Sequence, residues 1–142
     1  DEDAIPLPPD SFAAKKYQQL ISGTDNAFKL AKKYDLLFGF GTDTQGSPAL
    51  AERQGAQLAK LTRYFEPWEV LKIATSQNYE IFKRSGPRDP YPGDNGVVRE
   101  GAYADLLLVD GNPLENIDLI ADPHTNFVII MKDGVIYKNT LE

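Results

Sequence analysis

The sequence predicts an α/β fold in two unlike parts: an α-β-α unit of the kind found in parallel sheets, then a small antiparallel β segment. Three observations carry this. Residues 36–40 are a short run apolar on both faces, as strands buried in parallel sheets are, with helical spacing before and after it. Ser47-Pro48 pairs a capping residue with proline at the first helical position. After residue 96 the apolar period shortens, and Asp133-Gly134 between two apolar runs is a strong hairpin signal.

Taken in order, residues 11–34 have helical spacing. Phe12, Tyr17, Leu20 and Ile21 mark one face, and Ala27, Phe28, Leu30 and Ala31 another. Ser22-Gly23-Thr24-Asp25-Asn26 predicts a turn between two helices and an N-cap for the second. Lys32 and Lys33 suit a helix C-terminus. A strand over 36–41 is closed by Gly39, Gly41 and Thr42. Helices follow over 48–64, with Leu50, Leu58 and Leu61 on one side, and over 67–83, opened by Pro67. Three Pro and three Gly between residues 85 and 96 make a loop. Val97-Val98 and residues 105–110 predict strands, 111–114 a turn, and Leu119-Ile120 a short helical piece. Residues 127–132 and 135–138 flank the Asp-Gly turn. The division is therefore 1–85, a linker over 86–96, and 97–142. Leu7-Pro8-Pro9 reads as a stiff connector behind an acidic, solvated start.

Composition narrows the function. The chain has 142 residues, one domain's worth, and its 42% hydrophobic and 25% charged content belongs to a soluble globular protein. Against 21 acidic residues stand 15 basic ones, a net charge of −6 with no basic stripe, which argues against nucleic acid as partner. There is no Cys and one His, so thiolate and multi-histidine metal centres are out of reach of this chain alone. A (β/α)8 barrel takes roughly 250 residues and cannot close here. No apolar run is of membrane-spanning length. No basic, apolar leader and no initiator Met stand at the start, so the chain is expected to begin inside a longer reading frame or at a processing site.

The sharpest candidate for chemistry is Gly39-Phe40-Gly41-Thr42-Asp43. A carboxylate just beyond the C-terminal end of a parallel strand lies where α/β folds bind ligands, and can hold a divalent metal or take a proton from water. The competing reading makes Asp43 a cap for the next helix. A phosphate loop is disfavoured: the glycine spacing is GxGxxxxG, Asp43 adds negative charge, and no Lys-Ser/Thr pair follows. His124, in Asp122-Pro123-His124-Thr125-Asn126, reads as a solvated loop residue, and Asp105 and Asp110 as the ends of a strand.

Residues 96–114, with Ala104-Asp105-Leu106-Leu107-Leu108-Val109-Asp110-Gly111-Asn112-Pro113-Leu114, resemble the closing β segment of the metal-dependent amidohydrolase superfamily. Within it they are most similar to imidazolonepropionase-related enzymes and Xaa-Pro dipeptidases. Val128-Ile129-Ile130-Met131-Lys132-Asp133-Gly134-Val135 resembles the same family's last hairpin. Phe40-Gly41-Thr42-Asp43 resembles the end of the eighth barrel strand, and Pro67-Trp68-Glu69-Val70-Leu71 the helix after it. The ordered set covers about residues 36–141.

The resemblance implies the C-terminal part of a (β/α)8 barrel, its last helices and strand, followed by part of a composite β-sandwich. It implies hydrolysis of an amide, peptide or cyclic amide by metal-activated water. Asp43 would match the aspartate that binds the metal, by expectation zinc, and handles the proton of the water; Thr42, Thr44 and Gln45 would lie on the loop that sets substrate specificity. The family's histidines and carboxylated lysine have no counterparts here, so this chain alone is expected to hold no metal and to be inactive without a missing N-terminal portion. The apolar faces left bare predict self-association. A non-catalytic interaction module reusing this fold segment is the alternative.

Overall fold

A computed structural model describes residues 6–44 and 46–141. The acidic start, residues 1–5, lies outside the described residues, as does Gln45. Two compact units divide at Leu36/Leu37.

The first unit is built on α1, Phe12–Lys33. Ser11 caps it, accepting the Ala14 N–H at 3.1 Å, and Lys32 and Lys33 occupy the last turn. The turn expected over 22–26 is absent: α1 runs through it as one helix. Ser22 and Thr24 donate their hydroxyls back to the Gln19 and Leu20 carbonyls, so their side chains serve the helix instead of capping a new one. No residue of α1 is buried, and Phe12 is 83% exposed.

The second unit opens with residues 37–47 and continues through α2, Pro48–Ala51, and α3, Gln54–Ala59. The strand expected over 36–41 has no strand partner among the described residues. A strand exists by its ladder, and no described residue supplies the neighbours a parallel strand needs. The single helix expected over 48–64 is instead α2, α3 and a 3-10 turn over Lys60–Arg63. Gly55, a weak helix former, serves a close approach: a Cβ there would stand 1.9 Å from the Ile120 carbonyl oxygen. Residues 67–83 are helical as expected, as α4 (Pro67–Lys72), a π-helical turn (Ile73–Gln77) and α5 (Asn78–Lys83). A reciprocal Glu66/Glu69 capping box and Pro67 set its start.

Residues 86–96 are mostly irregular after a 3-10 turn over Gly86–Arg88. Val97-Val98 is not a strand. Gly96, at φ +69, turns the chain so close to the Thr75 backbone that a Cβ would stand 2.6 Å from it, and Val98 is left exposed. The sheet is β1 (Leu106–Val109), β2 (Phe127–Lys132) and β3 (Val135–Asn139), antiparallel in that order. Asp133 and Gly134 both take positive φ, +48 and +76, the type I′ geometry that fits strand twist. A 3-10 turn over Ile117–Ala121 and α6, Pro123–Asn126, connect β1 to β2.

Buried side chains fall into two groups, Ala59, Phe65, Val70, Ile73 and Tyr79 in the helical part and Ile117, Ile120 and Phe127 near the sheet. The sheet itself is thinly covered. Leu106, Leu107 and Leu108 are all exposed, Leu107 at 56%. Successive strand residues point to opposite faces, so both faces of β1 are bare at these leucines.

Candidate functional site

The candidate site is the segment from Phe40 to Ser47. At its start the Asn78 carboxamide takes both backbone groups of Phe40: Oδ1 accepts the Phe40 N–H at 3.0 Å, and Nδ2 donates to the Phe40 carbonyl at 3.0 Å. At its end Ser47 caps α2, accepting the Leu50 N–H at 3.3 Å, and the Ser47 N–H donates to the Thr44 carbonyl at 3.2 Å. Between these anchors Thr42 and Thr44 share a hydroxyl contact of 3.3 Å. Asp43 stands between the two threonines, exposed, with φ +50. That left-handed backbone is uncommon for a side-chain-bearing residue, although aspartate tolerates it better than most.

The helix cap is therefore Ser47, not Asp43, and no other described residue hydrogen-bonds the Asp43 carboxylate. Thr42, Asp43 and Thr44 are consecutive on one irregular segment, while Gln45 lies outside the described residues. An apolar cavity of about 440 Å³ within this unit has Phe40 on its wall, with Leu71, Leu107, Ile120 and Phe127, but not Asp43.

Among the described residues no three His, Cys, Asp or Glu side chains gather into a group that could hold a metal. A zinc site takes three or four protein ligands. The described residues thus do not fit a complete metal site. His124 is exposed on α6; its carbonyl accepts the Lys138 ammonium at 2.7 Å, and Asp122 caps that helix through the Thr125 N–H. The Thr125 hydroxyl and N–H hold the Asp122 carboxyl below its usual range. Asp105 accepts the Asp133 N–H at 2.6 Å and so ties the hairpin turn to the start of β1.

Two features escaped sequence reasoning. One is Asn78, the last of four consecutive polar residues, Thr75-Ser76-Gln77-Asn78, inside the helical run of residues 67–83, where short amides are poor formers unless they bond elsewhere. The other is Asp94. It accepts the Tyr79 hydroxyl at 2.9 Å, the Lys83 ammonium at 3.5 Å and the Arg99 guanidinium. The Arg99 hydrogen bond, then that of Tyr79, holds the Asp94 carboxyl below its ordinary value. Bonding to Tyr79 first, then to Asp94, raises the Lys83 ammonium.

The sequence profile of the amidohydrolase family matches residues 9–139. An ochratoxinase from Aspergillus niger is 32% identical over 125 residues, covering 87% of this chain and 24% of its own. Its crystal structure superposes with a TM-score of 0.73 at 26% identity, over 91% of this chain and 28% of that one. A crystallised amidohydrolase gives a TM-score of 0.75 at 30% identity, covering 96% and 30% of the two chains. A prolidase complexed with N-methylphosphonate-L-proline gives 0.67 at 27% identity, over 81% and 26%. The chain spans about a quarter of the length of the curated relatives it matches.

Proposed function

Because the chain belongs to the amidohydrolase family, we propose that it is the C-terminal segment of a hydrolase that cleaves a C–N bond in an amide, peptide or cyclic amide. The observation that carries the reading is the extent of the match, residues 9–139 of this chain against about a quarter of a relative's length. Among the described residues β1 has no strand on its outer edge and exposed leucines on both faces, which supports a sheet that meets further structure. The similarity to an ochratoxinase and to a prolidase supports an amide or peptide substrate.

Asp43 is the catalytic residue in this reading. Its carboxylate accepts the proton of the attacking water and passes it to the leaving nitrogen. A divalent ion, zinc by the resemblance, would be held by histidines of a preceding portion of the protein, with Asp43 as the single donor from this segment. Thr42, Thr44 and Gln45 contact the substrate. The 142-residue chain alone turns nothing over and covers its apolar faces by self-association. Asp43→Asn in the full-length protein, assayed on dipeptides and cyclic amides, tests the first claim: turnover near wild type would remove Asp43 from the chemistry. Light scattering behind size exclusion tests the last, and a monodisperse monomer of the 142-residue chain would contradict it.

A further inference from the structure

We propose that Asn78 is a positioning residue whose carboxamide holds both backbone groups of Phe40 and so fixes the backbone that carries Asp43. The inference rests on the reading of Asp43 given above. Three of the four hydrogen-bonding positions of the Asn78 amide are used. Oδ1 takes the Phe40 N–H, and Nδ2 serves the Phe40 carbonyl and, at 3.3 Å, the Ala74 carbonyl. With donors and acceptor all assigned, the amide has one orientation that satisfies the network. Phe40 lies 38 positions away in sequence, so this is a tertiary clamp and not a local turn.

Two further observations point the same way. Gly39 makes room for the clamp: a Cβ there would stand 2.1 Å from Asn78 Oδ1 and 2.9 Å from Ile81 Cδ1. The π-helical turn Ile73–Gln77 ends immediately before Asn78. One extra residue in a helix rotates the remainder of that helix by about 100°, and such turns recur at functional sites. The turn also leaves Gln77 Oε1 buried without a hydrogen-bond partner among the described residues, an unfavourable arrangement. The segment from Phe40 to Ser47 is then held at both ends, by Asn78 and by the α2 cap, with Asp43 between.

The test is made in the full-length protein. Asn78→Leu keeps the side chain's size and removes the clamp; Gly39→Ala keeps Asn78 and pushes its amide away. Positioning predicts that each lowers kcat by about 100-fold, the size of effect expected from a misplacement of about 1 Å, while KM moves far less. The Phe40 amide should lose hydrogen-exchange protection in both. The double variant should be no slower than either single one, because both remove the same clamp. A kcat near wild type in folded Asn78→Leu, or effects that multiply in the double variant, would overturn the proposal. Should Asn78→Leu fail to fold, Gly39→Ala alone decides it by the same kcat and exchange readouts. If Asp43→Asn proves active, the reading of Asp43 falls and the positioning role with it, whereas exposure of the Phe40 amide still shows whether the clamp itself exists.

Discussion

Asp43 and Asp94 both sit on irregular segments next to the helical run of residues 67–83, or clamped to it, yet they are treated oppositely. Asp94 accepts hydrogen bonds from Tyr79, Lys83 and Arg99. Asp43 accepts none from the described residues, although its neighbours are anchored through Asn78 and Ser47 and its backbone is held at φ +50. A carboxylate surrounded by donors has its lone pairs committed to the fold. The Asp43 carboxylate carries no such commitment among the described residues. The lesson is that partners, more than position at a strand tip, separate the two aspartates.

The largest effect should come from exchanging the two charges for amides in turn. Asp43→Asn in the full-length protein is expected to lower kcat/KM by on the order of 10²–10⁴-fold, the usual contribution of a general acid-base group, with Tm unchanged. Asp94→Asn should do the reverse, lowering Tm and leaving kcat near wild type. Paired kinetics and thermal melts would break the comparison if Asp43→Asn lost stability while keeping turnover.

Next in size is the pH dependence of stability. The Asp94 carboxyl titrates below its ordinary 3.8 when folded. Its contribution is therefore fully present above that value and disappears as pH falls through the lower, folded value. Lys83 titrates above its ordinary 10.5, so its contribution is full below that value and disappears as pH rises through the higher, folded one. Melts of wild type and Asp94→Asn between pH 2 and about 5 should converge at the acid end. Curves that stay parallel throughout would mean that the ion pairs to Asp94 do not contribute.

How much of the molecule is legible in its sequence depends on whether the signal is local. The Asp133-Gly134 turn, the Ser47 cap, the Pro67 start and the apolar runs of β1 and β2 are fixed by residues within a few positions of each other, and the structure has them where the sequence puts them. The errors lie where a distant partner decides. Residues 36–41 have strand composition, but the Phe40 backbone bonds to Asn78. Val97 and Val98 are β-branched, but Gly96 bends the chain against Thr75. Residues 22–26 are the exception, a local one: they hold turn formers, yet two of their hydroxyls fold back onto helix carbonyls three and four residues earlier. Of the candidate site, the placing of Thr42, Asp43 and Thr44 between an apolar run and the Ser47-Pro48 helix start is readable from the sequence. The clamp that holds it is not, because nothing near Asn78 in sequence points to Phe40.

The smallest effect separates two kinds of structural aspartate. Asp105 has one hydrogen bond from the described residues, the Asp133 N–H, and this holds the hairpin turn against the start of β1 together with the Gly134 N–H, which donates to the Ala104 carbonyl at 3.1 Å. Asn offers the same carbonyl-type acceptor in the same place, so Asp105→Asn should keep the bond and shift Tm less than Asp94→Asn does. Asp105→Leu removes the acceptor and leaves a turn N–H to find water, so it should cost more than the amide. If Asp105→Asn were as damaging as Asp105→Leu, the charge and not the acceptor would be what the turn requires, and Asp105 would belong beside Asp94.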